Sequence, residues 1–198
     1  MTYDLVIVGG GPTGASAAIF AGRAGLRTAV VDGGAGMAPK ALVNNHLGLP
    51  DGVEGPELLI LGRRHAVASG AEWIEDTVTS LSVQDGVVGL GTVGGQSLQA
   101  RDVLLAQGTN TLLAAGAGIA VEAGREPWIK TVLTVDATGR TSAPRVWAAG
   151  TVAGTSVHTI VVAGDGARVA INIISEQRGE RRVDHDCMPD PPLPASAG

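Results

Sequence analysis

Aromatic residues are scarce in this chain: Phe, Trp and Tyr together make up 3% of its 198 residues. Hydrophobic content is nonetheless 44%. The core must therefore be aliphatic and small-residue, as in α/β folds whose helices and strands pack closely. Cysteine is all but missing. A single Cys187 excludes an intramolecular disulfide and an all-cysteine metal cluster, and no Cys-x-x-Cys pair exists. That usage suits a reducing, cytoplasmic setting. Basic clusters are missing too: with a net charge of −5 and no Arg/Lys stripe, a nucleic-acid partner is not expected. Nor is there a long lipid-like run. Residues 103–121 and 146–164 lack full charges, but Gln107, Thr109, Asn110, His158 and several glycines make both poor membrane helices. The N-terminus has no basic region ahead of its short apolar run, so no secretory leader is expected. The length fits one domain.

Glycine, by contrast, is abundant, with 30 residues, and the first group is the informative one. The apolar run Leu5-Val6-Ile7-Val8 ends in Gly9-x-Gly11-x-x-Gly14. An alanine-rich segment, Ala15 to Gly25, follows, and a second apolar run, Ala29-Val30-Val31, closes on Asp32. Strand, glycine turn, helix, strand and carboxylate is the order that binds an adenine dinucleotide. Gly9 permits the tight turn, Gly11 lets a pyrophosphate approach the backbone, and Gly14 lets helix and strand pack. Pro12 and Thr13 open a helix whose free N–H groups and dipole face the phosphates. Asp32 is placed to accept hydrogen bonds from a ribose.

Gly33 to Pro39 is a glycine-rich loop, and irregular chain is expected on to Gly55; a long ordered loop of this kind is usually functional. Pro56-Glu57 starts a helix that Gly70 stops. His65 within it reads as a surface or packing residue. From Glu72 to Ala100 the pattern is one of short strands, with turns at Asp85-Gly86 and Gly94-Gly95, which predicts a three-stranded antiparallel meander. Asp102 to Gly108 reads as a separate buried parallel strand. Further strands are predicted near 119–121, 129–135 and 145–150. A closing helix over about 157–176 has Ile160, Ala163, Ala167, Ala170 and Ile174 as its inward stripe, with Asp165, Arg168 and Asn172 opposite. Beyond it the chain turns charged and proline-rich, which predicts a flexible tail over 179–198.

Three motifs stand in order and together resemble one family, the FAD domain of low-molecular-weight thioredoxin reductases. The first is the glycine fingerprint. The second, Val43-Asn44-Asn45-His46-Leu47-Gly48-Leu49-Pro50-Asp51-Gly52-Val53-Glu54-Gly55-Pro56-Glu57-Leu58, is similar to that family's V-E-N-Y-P-G-F-P-x-G-x-x-G-P-E-L. The third, Thr141 to Gly150 with Ala163-Gly164-Asp165-Gly166-Ala167, resembles T-S-V-P-G-V-F-A-A-G-D and A-A-G-D-G. The likeness covers about residues 3–176. It implies a Rossmann-like, three-layer α/β fold with a central parallel sheet and a meander, and it implies FAD rather than NAD at the fingerprint.

The departures are equally specific. Family members insert an NADPH domain carrying a C-x-x-C pair after an A-T-G strand end. Here Ala106-Gln107-Gly108 runs directly into Thr109-Asn110-Thr111-Leu112-Leu113, which resembles the segment after that insert. A single domain over residues 1–178 is therefore expected, made of 1–108 and 109–178 together, with the nucleotide domain absent. Thr151 stands where the family has the Asp that contacts the ribitol of FAD. Met37-Ala38 replace a polar G-Q-L contact, and His46 replaces an aromatic.

The resemblance implies a pyrophosphate on Gly9, Gly11, Pro12, Thr13 and Gly14, and the adenosine ribose at Asp32 and Gly33. It also implies Val78 near adenine, and Asn45, Gly108, Gly150, Thr151, His158 and Thr159 around the flavin. His46 and His158 are the candidate catalytic side chains. His158 replaces a Gln at the N-terminus of the closing helix, where an imidazole can supply the same hydrogen bond. Cys187, flanked by His185 and two aspartates, reads as an inert thiol, and no metal site is expected. The expected activity is that of a single-domain flavoprotein oxidoreductase reduced by an external small molecule or protein. The alternative is a non-catalytic FAD- or nucleotide-binding scaffold or subunit of a larger redox complex. Removing the insert also uncovers an apolar flank near Gly108, which a homodimer or a partner would bury.

Overall fold

The computed structural model describes residues 2–186. Cys187 and the proline-rich part of the tail lie outside the described residues. The chain opens with β1 (Thr2–Val8), α1 (Pro12–Arg23) and β2 (Thr28–Val31). The two strands are parallel, with Leu5 opposite Thr28 and Val8 opposite Val31. Their continuous apolar stretches, Leu5–Val8 and Ala29–Val31, are buried because both faces of the sheet are covered. A short antiparallel pair follows, β3 (Leu42–Val43) with β4 (Val53–Glu54), then α2 (Gly55–Ala68). α2 returns the chain to β5 (Glu72–Ile74), which lies parallel to β2 at the sheet edge.

The meander is β6 (Val78–Gln84), β7 (Val87–Thr92) and the first half of β8 (Ser97–Leu105). The sequence reading separated its third strand from the buried parallel strand; in the fold they are one. β8 runs parallel to β1 along its length, from Gln99 opposite Thr2 to Leu105 opposite Val8. On its other edge the partner changes, so that Ala100 pairs with Val88 of β7 while Val103 begins pairing with a later strand. Asp102 does not break this strand although it is 1% exposed. Its carboxylate accepts hydrogen bonds from Trp147 Nε1 at 3.1 Å and Gln177 Nε2 at 2.9 Å, which offsets the cost of burying the charge.

After β8 come α3 (Leu112–Gly116), a hairpin of β9 (Val121–Ala123) and β10 (Thr131–Leu133), then β11 (Val146–Ala148) and α4 (Thr159–Arg178). The sheet order is β5-β2-β1-β8-β7-β6, with β11 beside the second half of β8. Side chains alternate between two cores. Leu5, Ile7, Val30 and Leu104 pack on Ala17, Ala18 and Ala21 of α1 and on Val169, Ala170 and Ile173 of α4. Val6, Val8, Val31, Val103 and Leu105 pack on Leu81, Val88 and Leu90 of the meander and on Ala114 of α3. Helices, parallel sheet and meander thus form the three expected layers.

The inward stripe of α4 differs from the one predicted. Val162, Gly166, Val169, Ala170, Ile173 and Ile174 are buried, whereas Ile160 is 36% exposed. The reason is Gly166: a side chain there would collide with the Thr13 carbonyl, so α4 turns its glycine face to α1 to let the two backbones meet. Beyond α4, residues 179–186 have no regular secondary structure. Asp184 and Asp186 nonetheless pair with Arg23 at 2.9 and 2.6 Å. Among the described residues, no helix is long and apolar enough to cross a membrane.

Candidate functional site

The parallel strands β1, β2 and β8 all end on the same side of the sheet, and a cavity of about 800 Å³ opens there, within the size range of cofactor sites. The turn after β1 forms its floor. Gly9 has φ of +104°, which a side chain would strain. Gly14 sits against the carbonyl of Gly9, where a Cβ would collide with the oxygen, so its smallness serves packing. Gly11 is different: a Cβ there would meet nothing within 4 Å. Its smallness keeps space open above the turn.

α1 begins at this opening. Gly11 caps it without a side-chain hydrogen bond, and Pro12 occupies the first helical position. The first-turn N–H groups of Thr13 and Gly14 are left for a ligand. Among the described residues no Lys, Arg or His lines the cavity, so attraction for an anion rests on these amides and the helix dipole.

Asp32, at the end of β2, accepts hydrogen bonds from the backbone N–H of Gly10 at 3.1 Å and Gly34 at 3.3 Å. The carboxylate ties the glycine turn to the loop after β2 while keeping acceptor capacity for a hydroxyl. Asp76 lines the same end of the cavity and accepts from the N–H of Thr77 at 2.7 Å and Gly94 at 3.2 Å. The Thr92 hydroxyl, then the Thr77 amide, hold its carboxyl below the usual carboxylate range.

On the other side of β1, Gln107 and Gly108 follow β8, and Thr151 follows β11. Thr151 is buried, 6% exposed. Its turn is fixed from behind. Gly150, with φ of +75°, lies against the Thr13 side chain and donates its N–H to Asp165 Oδ2 at 2.7 Å. Asp165 also accepts from Thr155 Oγ1 at 2.8 Å and from Arg168 Nε at 3.0 Å. At the start of α4, Val157, Thr159 and Val162 complete the wall. Gln107 Oε1 and Thr159 Oγ1 are buried without a hydrogen-bond partner.

The sequence profile of the pyridine nucleotide-disulphide oxidoreductases matches residues 3–131. The chain belongs to that family. Over 111 residues it is 36% identical to the bifunctional thioredoxin reductase/thioredoxin of Mycobacterium leprae, a match covering 54% of this chain and 24% of that protein. Over 111 residues it is 32% identical to the thioredoxin reductase of Aquifex aeolicus, covering 54% of this chain and 34% of that one. The matched segment thus spans between a quarter and about a third of those relatives. In fold, it superposes on the thioredoxin reductase of Gloeobacter violaceus with a TM-score of 0.81 at 19% identity, covering 94% of this chain and 99% of that chain. An oxidoreductase from Agrobacterium tumefaciens gives a TM-score of 0.78 at 18% identity, covering 91% of this chain and 100% of the other. The region is therefore a thioredoxin reductase-like FAD domain of the pyridine nucleotide-disulphide oxidoreductases.

In this family member the structure brings Gly9, Gly11, Pro12, Thr13, Asp32, Gly33, Val78, Gly108, Thr151 and Thr159 together on one cavity wall. Gly14 and Gly150 stand behind the wall and act by packing. Asn45, His46 and His158 are not on it. Asn45 is exposed, His46 contacts the Leu47 carbonyl at 3.1 Å, and the exposed His158 caps α4 with Nδ1 2.9 Å from Ser156 Oγ. The candidate catalytic histidines thus do not face the cavity. Gln107, Asp76 and Asp165 escaped the sequence reading as site residues. Gln107 carried a signal nonetheless, as a polar residue between Ala106 and Gly108 at the end of a buried strand.

The residues present fit an adenine dinucleotide: an open glycine turn, uncapped helix amides and Asp32 at one end, and hydroxyl and amide groups at the other. Between Leu105 and Leu112 the chain takes a short turn, with Asn110 N–H donating to the Gln107 carbonyl at 3.2 Å. No second nucleotide domain intervenes there.

Proposed function

We propose that this chain binds FAD in the cavity and acts as a flavoprotein oxidoreductase whose electrons come from outside the chain. The observation that carries this is that one cavity is lined both by the glycine turn and Asp32 and by Thr151 and Thr159, across the ends of β1 and β8. The α1 amides and Gly11 would take the pyrophosphate. Asp32 would hold the adenosine ribose, and Val78 would pack beside the adenine. Thr151, a neutral hydroxyl, would contact the ribitol, and a neutral hydrogen bond is about half as strong as a charge-assisted one. The N-terminus of α4 would stabilise negative charge on the ring. Bound flavin supplies two-electron transfer between a donor and an acceptor.

With no nicotinamide domain between β8 and α3, the donor would be free NAD(P)H, a small-molecule substrate or a protein, and oxygen or a disulfide the acceptor. Leu112, 78% exposed, lies on the segment where the family's insert would join. A partner or a second copy of the chain would cover that flank, and light scattering reports whether a dimer forms. The decisive experiment is an absorption spectrum of purified protein with and without added FAD, followed by anaerobic reduction. Retained yellow colour that bleaches with reductant supports the assignment. A protein that stays colourless after reconstitution with FAD overturns it.

A further inference from the structure

The glycine fingerprint leaves position 10 open to any residue, yet Gly10 has no room for a side chain. A Cβ there would collide with Cζ2 of Trp73 and with the carboxylate of Asp32. Its glycine is therefore demanded by a neighbour from outside the motif. Trp73 is the middle residue of β5 and stands opposite Val30 of β2. It packs half-buried at the margin of the core formed by Leu5, Ile7, Val30 and α1. From α2, the Arg63 guanidinium lies 5.5 Å from the centroid of its ring. Arg63 is anchored in turn by Glu75 Oε1 at 2.5 Å. The indole is thus held between α2 and the glycine turn. Asp32 and Gly10 line the cavity; Trp73 stands behind them.

The two oxygens of Asp32 have different surroundings. Oδ1 takes both backbone hydrogen bonds, from Gly10 and Gly34. Among the described residues no protein donor reaches Oδ2. A free carboxylate rotates broadly about its last torsion angle, so a carboxylate that is to meet a ribose hydroxyl binds more tightly if its orientation is fixed beforehand.

We infer that Trp73 is a positioning residue for the adenosine end of the site: its ring fills the space beside Gly10 and holds Asp32 with Oδ1 on the turn amides and Oδ2 free for a hydroxyl. The inference rests on the dinucleotide reading above and adds the residue that sets the carboxylate. Trp73 acts through Asp32 and does not itself touch the ligand. Its effect on affinity therefore vanishes when Asp32 is removed, which a general support of the fold would not show.

The test is a double-mutant cycle on ADP affinity, measured by titration calorimetry on wild type, Trp73→Leu, Asp32→Ala and the double variant. In Asp32→Ala the pyrophosphate keeps the α1 amides, so binding stays measurable. Trp73→Leu should raise the ADP Kd about tenfold, the scale of one hydrogen bond to a charged group. Trp73→Phe, which keeps a ring, should recover part of that loss. Trp73→Leu should add nothing once Asp32 is alanine. Gly10→Ala should lower the melting temperature less in the Trp73→Leu background than in the wild type, because the smaller side chain relieves the collision. ADP affinity in Trp73→Leu equal to that of the wild type overturns the inference. So does full additivity with Asp32→Ala, which would mark Trp73 as general support of the turn. Should Trp73→Leu fail to fold, Trp73→Phe in the two Asp32 backgrounds carries the same cycle. A wild type that binds ADP but not FAD overturns the FAD reading and leaves this inference standing, whereas one that binds neither overturns both.

Discussion

The backbone N–H of Gly150 donates to Asp165 Oδ2 at 2.7 Å, tying the turn after β11 to the second turn of α4. Through that bond a residue outside the cavity sets the position of Thr151 inside it. Asp165→Ala would leave the Gly150 amide and the Thr155 hydroxyl without their acceptor. A stability loss of about 2–3 kcal/mol is expected, in the range for hydrogen bonds to a charged group, read as a lower urea midpoint. FAD affinity should fall with it, and Asp165→Asn, which keeps one acceptor oxygen, should show a smaller loss of both. Equal affinity in the alanine variant would separate the turn from the site.

Gly11 and Gly14 belong to one motif but do different work, and alanine at each should show it. Gly11→Ala places a methyl in open space, so folding should be unaffected while FAD and ADP binding both weaken by about tenfold or more, the loss of about one backbone contact. Gly14→Ala drives a methyl into the Gly9 carbonyl. Overpacking of that kind costs about 1–3 kcal/mol, and the variant should melt early. Thermal melts and ADP titrations on the pair separate the two effects.

Thr151→Asp puts a carboxylate where the resemblance expects one. A charge-assisted bond should tighten FAD several-fold, on the order of 1 kcal/mol. The apo-protein should lose stability because the site at Thr151 is 6% exposed, and an unpaired charge is costly there. An apo melting temperature equal to wild type would show that Thr151 does not sit in a dry environment.

Asp136 offers a pH test. Its carboxylate accepts from Thr138 Oγ1 at 2.6 Å, Thr138 N–H at 2.8 Å and Arg140 N–H at 3.0 Å. The Thr138 hydroxyl, chiefly, holds its pKa below the usual carboxylate value. A depressed folded value means the contribution is fully present above the unfolded pKa of about 4 and is lost as pH falls through the lower folded value. The gap in urea midpoint between wild type and Asp136→Ala should therefore be widest near neutrality and shrink on acidification toward pH 2. A gap independent of pH would mean that the carboxylate's charge contributes nothing to the turn.

The amino-acid order alone determined the first β-α-β unit of this protein. The turn at Gly9, Gly11 and Gly14 and the strand end at Asp32 were legible because they belong to one strand–turn–helix–strand unit, whose geometry follows from local backbone chemistry. The three layers were legible for a similar reason, since continuous apolar runs cannot be satisfied without cover on both faces, while alternating ones need it on one. Only the folded molecule decided that β8 is one strand serving two partners, because the buried Asp102 is tolerated through Trp147 and Gln177, which are distant in sequence. It also decided that Asn45, His46 and His158 stand off the cavity while Gln107 borders it. Side-chain direction at the mouth of a sheet depends on packing between segments far apart in the chain, such as the close approach of Gly166 in α4 to Thr13 in α1.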